Sequence, residues 1–373
     1  MSTSVAQVDH DWAVNQRVRW YRSPLPIARL RELSRRSNLR PFLFATGYLA
    51  LLAATGTGVF LVHLHLSWPW LLLALFVHGT VHRTLQHSRH ELAHRTVFRS
   101  RLLNESFLRI CNFLCWSSPE YFRASHVRHH QYTVHDELDL EVRLPRVFRP
   151  VQWLTQLVLA VPNMIAEIGH LVRWSRGRLA GSGPSVAAEA NGALGHANGG
   201  AGSSVWEERC FADPPAGQGN ADKRAALFRW ARIVVFGHLA LAIVFIALDL
   251  WIMLLIVTFA RWLAPWLSNL FIETQHAGLS SNTPDFRLCC RTVEFGPVFR
   301  FLYWHMNYHI EHHMYPSVPF YNLAKLRKAI EADLPRAPRG LFRAWAEMLP
   351  IVNRQRKEPG FVFVPELPAS PAT

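Results

Sequence analysis

Residues 41–62 read PFLFATGYLALLAATGTGVFLV, 22 positions without a charged side chain. At about 1.5 Å of rise per residue, such a helix spans a hydrocarbon core of about 30 Å. The stretch therefore predicts a membrane-crossing helix and sets the fold class for what surrounds it. A short uncharged link, 63–67, leads to Trp68-Pro69-Trp70 and a second apolar stretch ending near Val81. Tryptophan favours the membrane interface, so the chain is expected to turn there and return as a helical hairpin. Later, Ile233 to Leu248 and Leu250 to about Leu270 form a second pair of apolar blocks, separated only by Asp249. They predict a second hairpin, with Arg261 read as the point where the fourth helix leaves the lipid rather than as a snorkelling side chain.

Composition agrees with this reading. The 373 residues are 50% hydrophobic, with 14 Trp and 23 Phe gathered in blocks, which favours a membrane protein over a soluble core. Forty Lys and Arg against 26 Asp and Glu give a formal charge of +14. Arg17, Arg19, Arg22, Arg29, Arg31, Arg35, Arg36 and Arg40 precede the first apolar block, and basic flanks of this kind mark the cytoplasmic side. No nucleic-acid motif accompanies them, so the expected partners are anionic lipid headgroups or an anionic acyl carrier, and no nucleic acid. Five cysteines form no disulfide or thiolate-metal pattern and are expected to be reduced. The first forty residues are charged throughout, and predict no cleaved leader.

The expected organisation is a basic segment at 1–40, a membrane domain at 41–340 and a tail at 341–373. Leu102 to Phe122 and Pro150 to Trp174 mix apolar and polar residues and read as interfacial helices. Residues 181–222, rich in Gly, Ala, Ser and Asn, read as a disordered insertion. Four spans with both termini cytoplasmic would put three histidine clusters on one side.

Those clusters are His90-Glu-Leu-Ala-His94, His126-Val-Arg-His129-His130 and His309-Ile-Glu-His312-His313. On a helix, positions i, i+3 and i+4 share a face, so His90 with His94, and His126 with His129 or His130, can approach one metal. Adjacent histidines point about 100° apart, so His129-His130 and His312-His313 can each address two metals. Imidazole suits Zn, Cu, Fe and Ni. A structural zinc needs four ligands and haem only one or two, so two irons with positions left open for dioxygen use eight rings most economically. His276, at the end of the fourth block, falls on the same side. Glu91 and Glu311 either accept a ring N–H or face solvent. His87 and His305, one turn before two clusters, stand between an outer-shell role and ordinary packing, as His78 and His82 stand between function and packing. The acidic run after His135 reads most simply as a solvated loop, and His10, His170, His196 and His238 follow no pattern.

The three clusters in their context, HELAHRTVF at 90–98, HVRHHQYT at 126–133 and NYHIEHHMYP at 307–316, resemble the membrane fatty-acid desaturase family over roughly residues 41–330. The resemblance implies an all-α integral membrane protein with about four transmembrane helices in two hairpins and a cytoplasmic cap carrying a non-haem di-iron site. It implies the ligands His90, His94, His126, His129, His130, His276, His309, His312 and His313, with His276 matched by position rather than by motif. It also implies an oxidoreductase that uses two Fe ions, O2 and two electrons to desaturate a fatty-acyl chain. A hydroxylase of a lipid or hydrocarbon is the alternative, and a membrane metal-binding or transport protein the non-catalytic one. The sequence carries no G-x-G-x-x-G, C-x-x-C or His-Pro-Gly-Gly motif, so electrons are expected from a separate ferredoxin or cytochrome with its reductase. An acidic donor would suit the basic flanks.

Overall fold

The computed structural model describes residues 18–136, 138, 139, 141, 142, 144, 157–180, 207, 210, 211, 220–358 and 360–368. Among these the regular elements are helices, tied by a few isolated bridges. After α1 (Ile27–Leu33), the uncharged stretch lies within α2 (Leu39–His65). Leu66 and Ser67 turn the chain into α3 (Trp68–Thr84), with Pro69 in the first turn where its missing N–H costs nothing. The two helices pack along their length. Tyr48 Oη donates to the Val81 carbonyl at 2.9 Å and meets Thr84 Oγ1 at 2.7 Å, while Thr55 Oγ1 meets His78 Nδ1 at 2.9 Å.

Leu43, Leu61, Leu64, Leu72, Leu73 and Val77 stay exposed on this hairpin. On α8 (Ala221–Ala247) Ile233, Phe236, Leu239, Ile243 and Ile246 do the same. Apolar surface of this extent needs a nonaqueous covering. Leu39–His65 and Ala221–Ala247 are both long and apolar enough to cross a membrane.

The block at 250–270 differs from the single helix expected of it. A π-turn at Leu254–Thr258 and a 3₁₀ turn at Ala260–Trp262 come first, then a break, then α9 (Trp266–Glu273). The break has a local cause. Pro265 lacks an N–H and disfavours helix in the residue before it, and Ala264 sits at φ 43°. The freed backbone finds other partners: Ala264 N–H donates to the Val158 carbonyl at 2.7 Å and Ala160 N–H to the Trp262 carbonyl at 2.9 Å. Within the π-turn the Ile256 carbonyl accepts from His78 Nε2 at 2.9 Å, so His78 serves packing. The first hairpin meets this break at Gly79, where an added Cβ would lie 2.5 Å from Leu263 Cβ and 2.9 Å from its backbone. Gly79→Val is therefore expected to destabilise the protein by about 1–3 kcal/mol, read as a lower melting temperature in detergent. Gly47→Val, where nothing lies within 4 Å, should leave it unchanged.

The remaining helices frame the cap. They are α4 (Gln86–Ala93), α5 (Arg101–Leu114), α6 (Pro119–Tyr132) and α7 (Val161–Ser175) before α8. After α9 come α10 (Phe286–Cys289), α11 (Pro297–Leu302), α12 (His309–Met314), α13 (Leu323–Ile330) and α14 (Leu341–Lys357). Ser100 and Ser118 cap α5 and α6, accepting from Leu103 N–H and Tyr121 N–H, which satisfies donors that a helix start leaves unpaired. The segment from 341 onward, set apart above as a tail, opens with α14, whose Leu341, Ala344, Trp345, Met348 and Val352 join the main core. Most of 181–222 and the first seventeen residues, including Arg17, lie outside the described residues.

Candidate metal centre

α4 carries His90 and ends at His94, which is half-buried. α6 carries His126, His129 and His130 on successive turns, and α12 carries His309, His312 and His313. His276 comes from the turn after α9, closed by Leu279 N–H donating to its carbonyl at 3.1 Å. The structure brings these nine rings into two adjoining groups. In one, His90, His94, His126, His130 and His312 present ring nitrogens within 4.8 Å of one another; in the other, His129, His276, His309 and His313 do so.

The division follows helix geometry. His126 pairs with His130 and His309 with His313, each four residues on, while the intervening His129 and His312 turn to the other group. His130 and His313 stack at 4.2 Å where the groups adjoin. Both groups draw on the second and third clusters; only the first cluster and His276 serve one group each.

The inward nitrogens suit a cation. His94 Nε2 lies 3.0 Å from His126 Nε2 and 3.1 Å from His312 Nε2, and His130 Nε2 lies 3.0 Å from His126 Nε2 and 3.1 Å from His312 Nε2, closing a ring of four. In the second group His309 Nε2 is 2.8 Å from His276 Nε2 and 3.1 Å from His313 Nε2. With metal–nitrogen bonds of about 2.1 Å, ligands at a right angle sit about 3.0 Å apart and tetrahedral ones about 3.4 Å. The observed spacing matches the right angle.

On four of the rings an outside acceptor holds the opposite nitrogen, whereas Nδ1 of His130, His309 and His312 has no hydrogen-bond partner among the described residues. His90 Nδ1 donates to Glu91 Oε1 at 3.0 Å, His126 Nδ1 to Glu141 Oε1 at 3.1 Å, His129 Nδ1 to Asp139 Oδ2 at 2.7 Å and His276 Nδ1 to the Cys289 carbonyl at 2.8 Å. Such bonds place the proton on Nδ1 and aim the Nε2 lone pair inward. Lone pairs 3 Å apart repel unless a cation lies among them. His90 Nε2 illustrates the point, being buried with no hydrogen-bond partner among the described residues.

Burial holds His90, His126, His130, His309, His312 and His313 well below the usual imidazole range, and His94 down to about 4, so the rings are neutral as ligands must be. His129 behaves differently. Burial again favours its neutral form, but the charge and hydrogen bond of Asp139 outweigh this and raise its pKa. Burial pushes Glu91 up to about 8 and Glu141 up to about 7. A cation bound by the adjoining rings favours both as carboxylates.

Asp139 and Glu141 correct the reading of the acidic run as a solvated loop. Asp139 is 1% exposed and accepts from Val134 N–H at 2.7 Å and Glu141 N–H at 2.9 Å, while Ser125 Oγ donates to Glu141 Oε2 at 2.8 Å. The run offered acids six to eleven positions past His130, but burial, the deciding property, is not a local one. Glu91 does accept a ring N–H. Glu311 takes neither course left open for it: it is buried and accepts from Thr292 Oγ1 and from Arg327 Nη1, the latter at 2.7 Å. His87 meets Ser268 Oγ at 3.1 Å and Tyr303 edge-on, and His305 packs on Phe320. His238 stacks on Trp116. Asp139→Asn keeps the shape and removes the charge on His129, so the second group is expected to lose about 10–100-fold in metal affinity, measured by chelator competition.

The fatty acid desaturase family model matches residues 66–345, a span that contains all nine rings. The chain belongs to the fatty acid desaturase family. No curated protein matches it. Membership implies a membrane-associated oxidoreductase with a fatty-acyl substrate, and in this family member the two histidine groups fit metal binding. A cavity opens on both, lined by His90 and His126 of one and His129, His276 and His309 of the other.

Proposed function

We propose that this protein desaturates a fatty-acyl chain at a di-iron centre, with His90, His94, His126, His130 and His312 holding one iron and His129, His276, His309 and His313 the other. The convergence of nine rings in two groups, seven of them buried and two half-buried, with the Nδ1 side of four of them fixed by acceptors, carries this reading. Nitrogen spacings near a right angle favour iron over a tetrahedral zinc. When bound, the irons supply oxidising power from dioxygen. The balance is one O2, two electrons and two protons with an acyl –CH2–CH2– giving –CH=CH– and two waters.

The chain's own part is positioning and exclusion. Glu91, Asp139, Glu141 and the Cys289 carbonyl orient the rings, and the walls of the cavity keep bulk water from the reacting carbon. Four spans in two hairpins, with the site and both termini cytoplasmic, complete the proposal. It is supported by the two long apolar helices and by the placement of the first cluster directly after α3. Exposed Arg19, Arg22, Arg31, Arg35, Arg36 and Arg40 suit an acidic ferredoxin or cytochrome with its reductase.

The test is expression with such a donor and mass spectrometry of the host lipids. New double bonds are expected. Hydroxylated chains alone would replace desaturation by hydroxylation, and purified protein holding zinc, inert to dioxygen when reduced, would overturn the oxidative reading.

A further inference from the structure

Arg83, in the last turn of α3, is 0% exposed, and its Nε, Nη1 and Nη2 all lack a hydrogen-bond partner among the described residues. A whole guanidinium is thus shut away from water with nothing to receive its N–H groups. Two further buried arginines surround the question rather than answer it. Arg89 donates from Nε to the Gln86 carbonyl at 3.3 Å and holds its guanidinium 5.2 Å from the Phe122 ring centroid. Arg261 is the one that engages a carboxylate: its Nε and Nη2 donate to Glu167 at 2.8 and 3.1 Å, and Trp262 Nε1 donates to Glu167 Oε2 at 2.9 Å. Glu167 is therefore committed to Arg261 and Trp262. Among the charged neighbours of Arg83, Arg261 and Arg89 repel it and Glu167 attracts it, so three buried cations stand against one carboxylate.

A buried charge without a counterion is strongly destabilising, and arginine does not escape by releasing its proton. Water would accept the N–H groups but leave the surplus charge; an anion answers both. An ionisable side chain on a membrane helix marks a functional site with a partner to be named. We propose that Arg83 binds a compact monovalent anion, a halide or a carboxylate, where the last turn of α3 meets Arg261 and Glu167. Full enclosure suits such an ion better than a whole phospholipid headgroup. The two sources differ in route. Gln86 and His87, which line the cavity at the histidine groups, stand three and four positions after Arg83, and Leu85 between the two helices keeps helical dihedrals. One helix face therefore runs from that cavity to Arg83, the path a fatty carboxylate would follow, whereas a halide would bind independently of any acyl chain. The inference needs no metal and stands apart from the oxidative reading.

The test uses the full chain in phosphatidylcholine nanodiscs in a halide-free buffer, with radiolabelled chloride and radiolabelled octanoate as separate probes. Saturable binding of one ion per chain is expected for at least one of them. Chloride displaced by bromide but not by octanoate assigns a halide site; octanoate displaced by longer fatty acids but not by octan-1-ol assigns a carboxylate site. Arg83→Leu should weaken the binding at least about tenfold, as loss of a charged hydrogen-bond donor implies, while Arg99→Leu, at an exposed position, leaves it unchanged. Binding of neither probe, or undiminished binding in Arg83→Leu, would overturn the proposal. Should Arg83→Leu not fold, Arg83→Lys serves in its place: it keeps the charge but loses the planar fork that suits a carboxylate, so it is expected to shift the preference toward chloride. Unchanged affinity and preference in that variant would equally remove the anion from Arg83.

Discussion

Replacing His312 with alanine is expected to abolish product formation. Its Nε2 lies 3.1 Å from both His94 Nε2 and His130 Nε2, so truncation removes one corner of the four-nitrogen ring and leaves its neighbours on one side only. The change also empties a pocket in a buried wall, because His312 is 1% exposed. His129→Ala is expected to be equally silent in turnover for a second reason. It leaves the buried Asp139 carboxylate with its backbone N–H donors but without the ring it partners at 2.7 Å, and a buried charge that loses its ion-pair partner is strongly destabilising. His196→Ala, in the segment outside the described residues, should keep full turnover. Product analysis by mass spectrometry decides, and retained turnover in either cluster variant would contradict the assignment of these rings.

His276→Ala should separate the two groups. His276 belongs only to the group of four, where its Nε2 approaches His309 Nε2 at 2.8 Å and its Nδ1 is fixed by the Cys289 carbonyl at 2.8 Å. The group of five contains no contribution from it. The variant should therefore fall from about two irons per chain to about one, three rings being too few to hold the second firmly, and lose product with it. Metal analysis of purified protein, beside His94→Ala as the mirror case in the group of five, checks this. Two irons and undiminished turnover in His276→Ala would remove His276 from the site.

The legible parts of the molecule are those fixed by local geometry. The i, i+4 spacing of His126 with His130 and of His309 with His313 follows from 3.6 residues per turn, and the uncharged stretch at 41–62 states its own length. The break at Pro265 was also written in the sequence, since proline marks a helix boundary wherever it falls, but a count of apolar residues from 250 to 270 passes over it. The fates of Glu91, Asp139, Glu141 and Glu311 were not legible. Each is an acid near a cluster; the first three orient rings and the last is claimed by Arg327.

By itself, then, the sequence determined the helical class, the apolar stretches and the three histidine clusters, because each depends on neighbours within a turn or two of helix. The tertiary structure decided which ring joins which group, which carboxylates stand behind them and what lines the cavity. Those contacts join His94 to His126 across 32 positions and to His312 across 218. No local periodicity reaches that far; only the packing of the helices around the site brings those rings together.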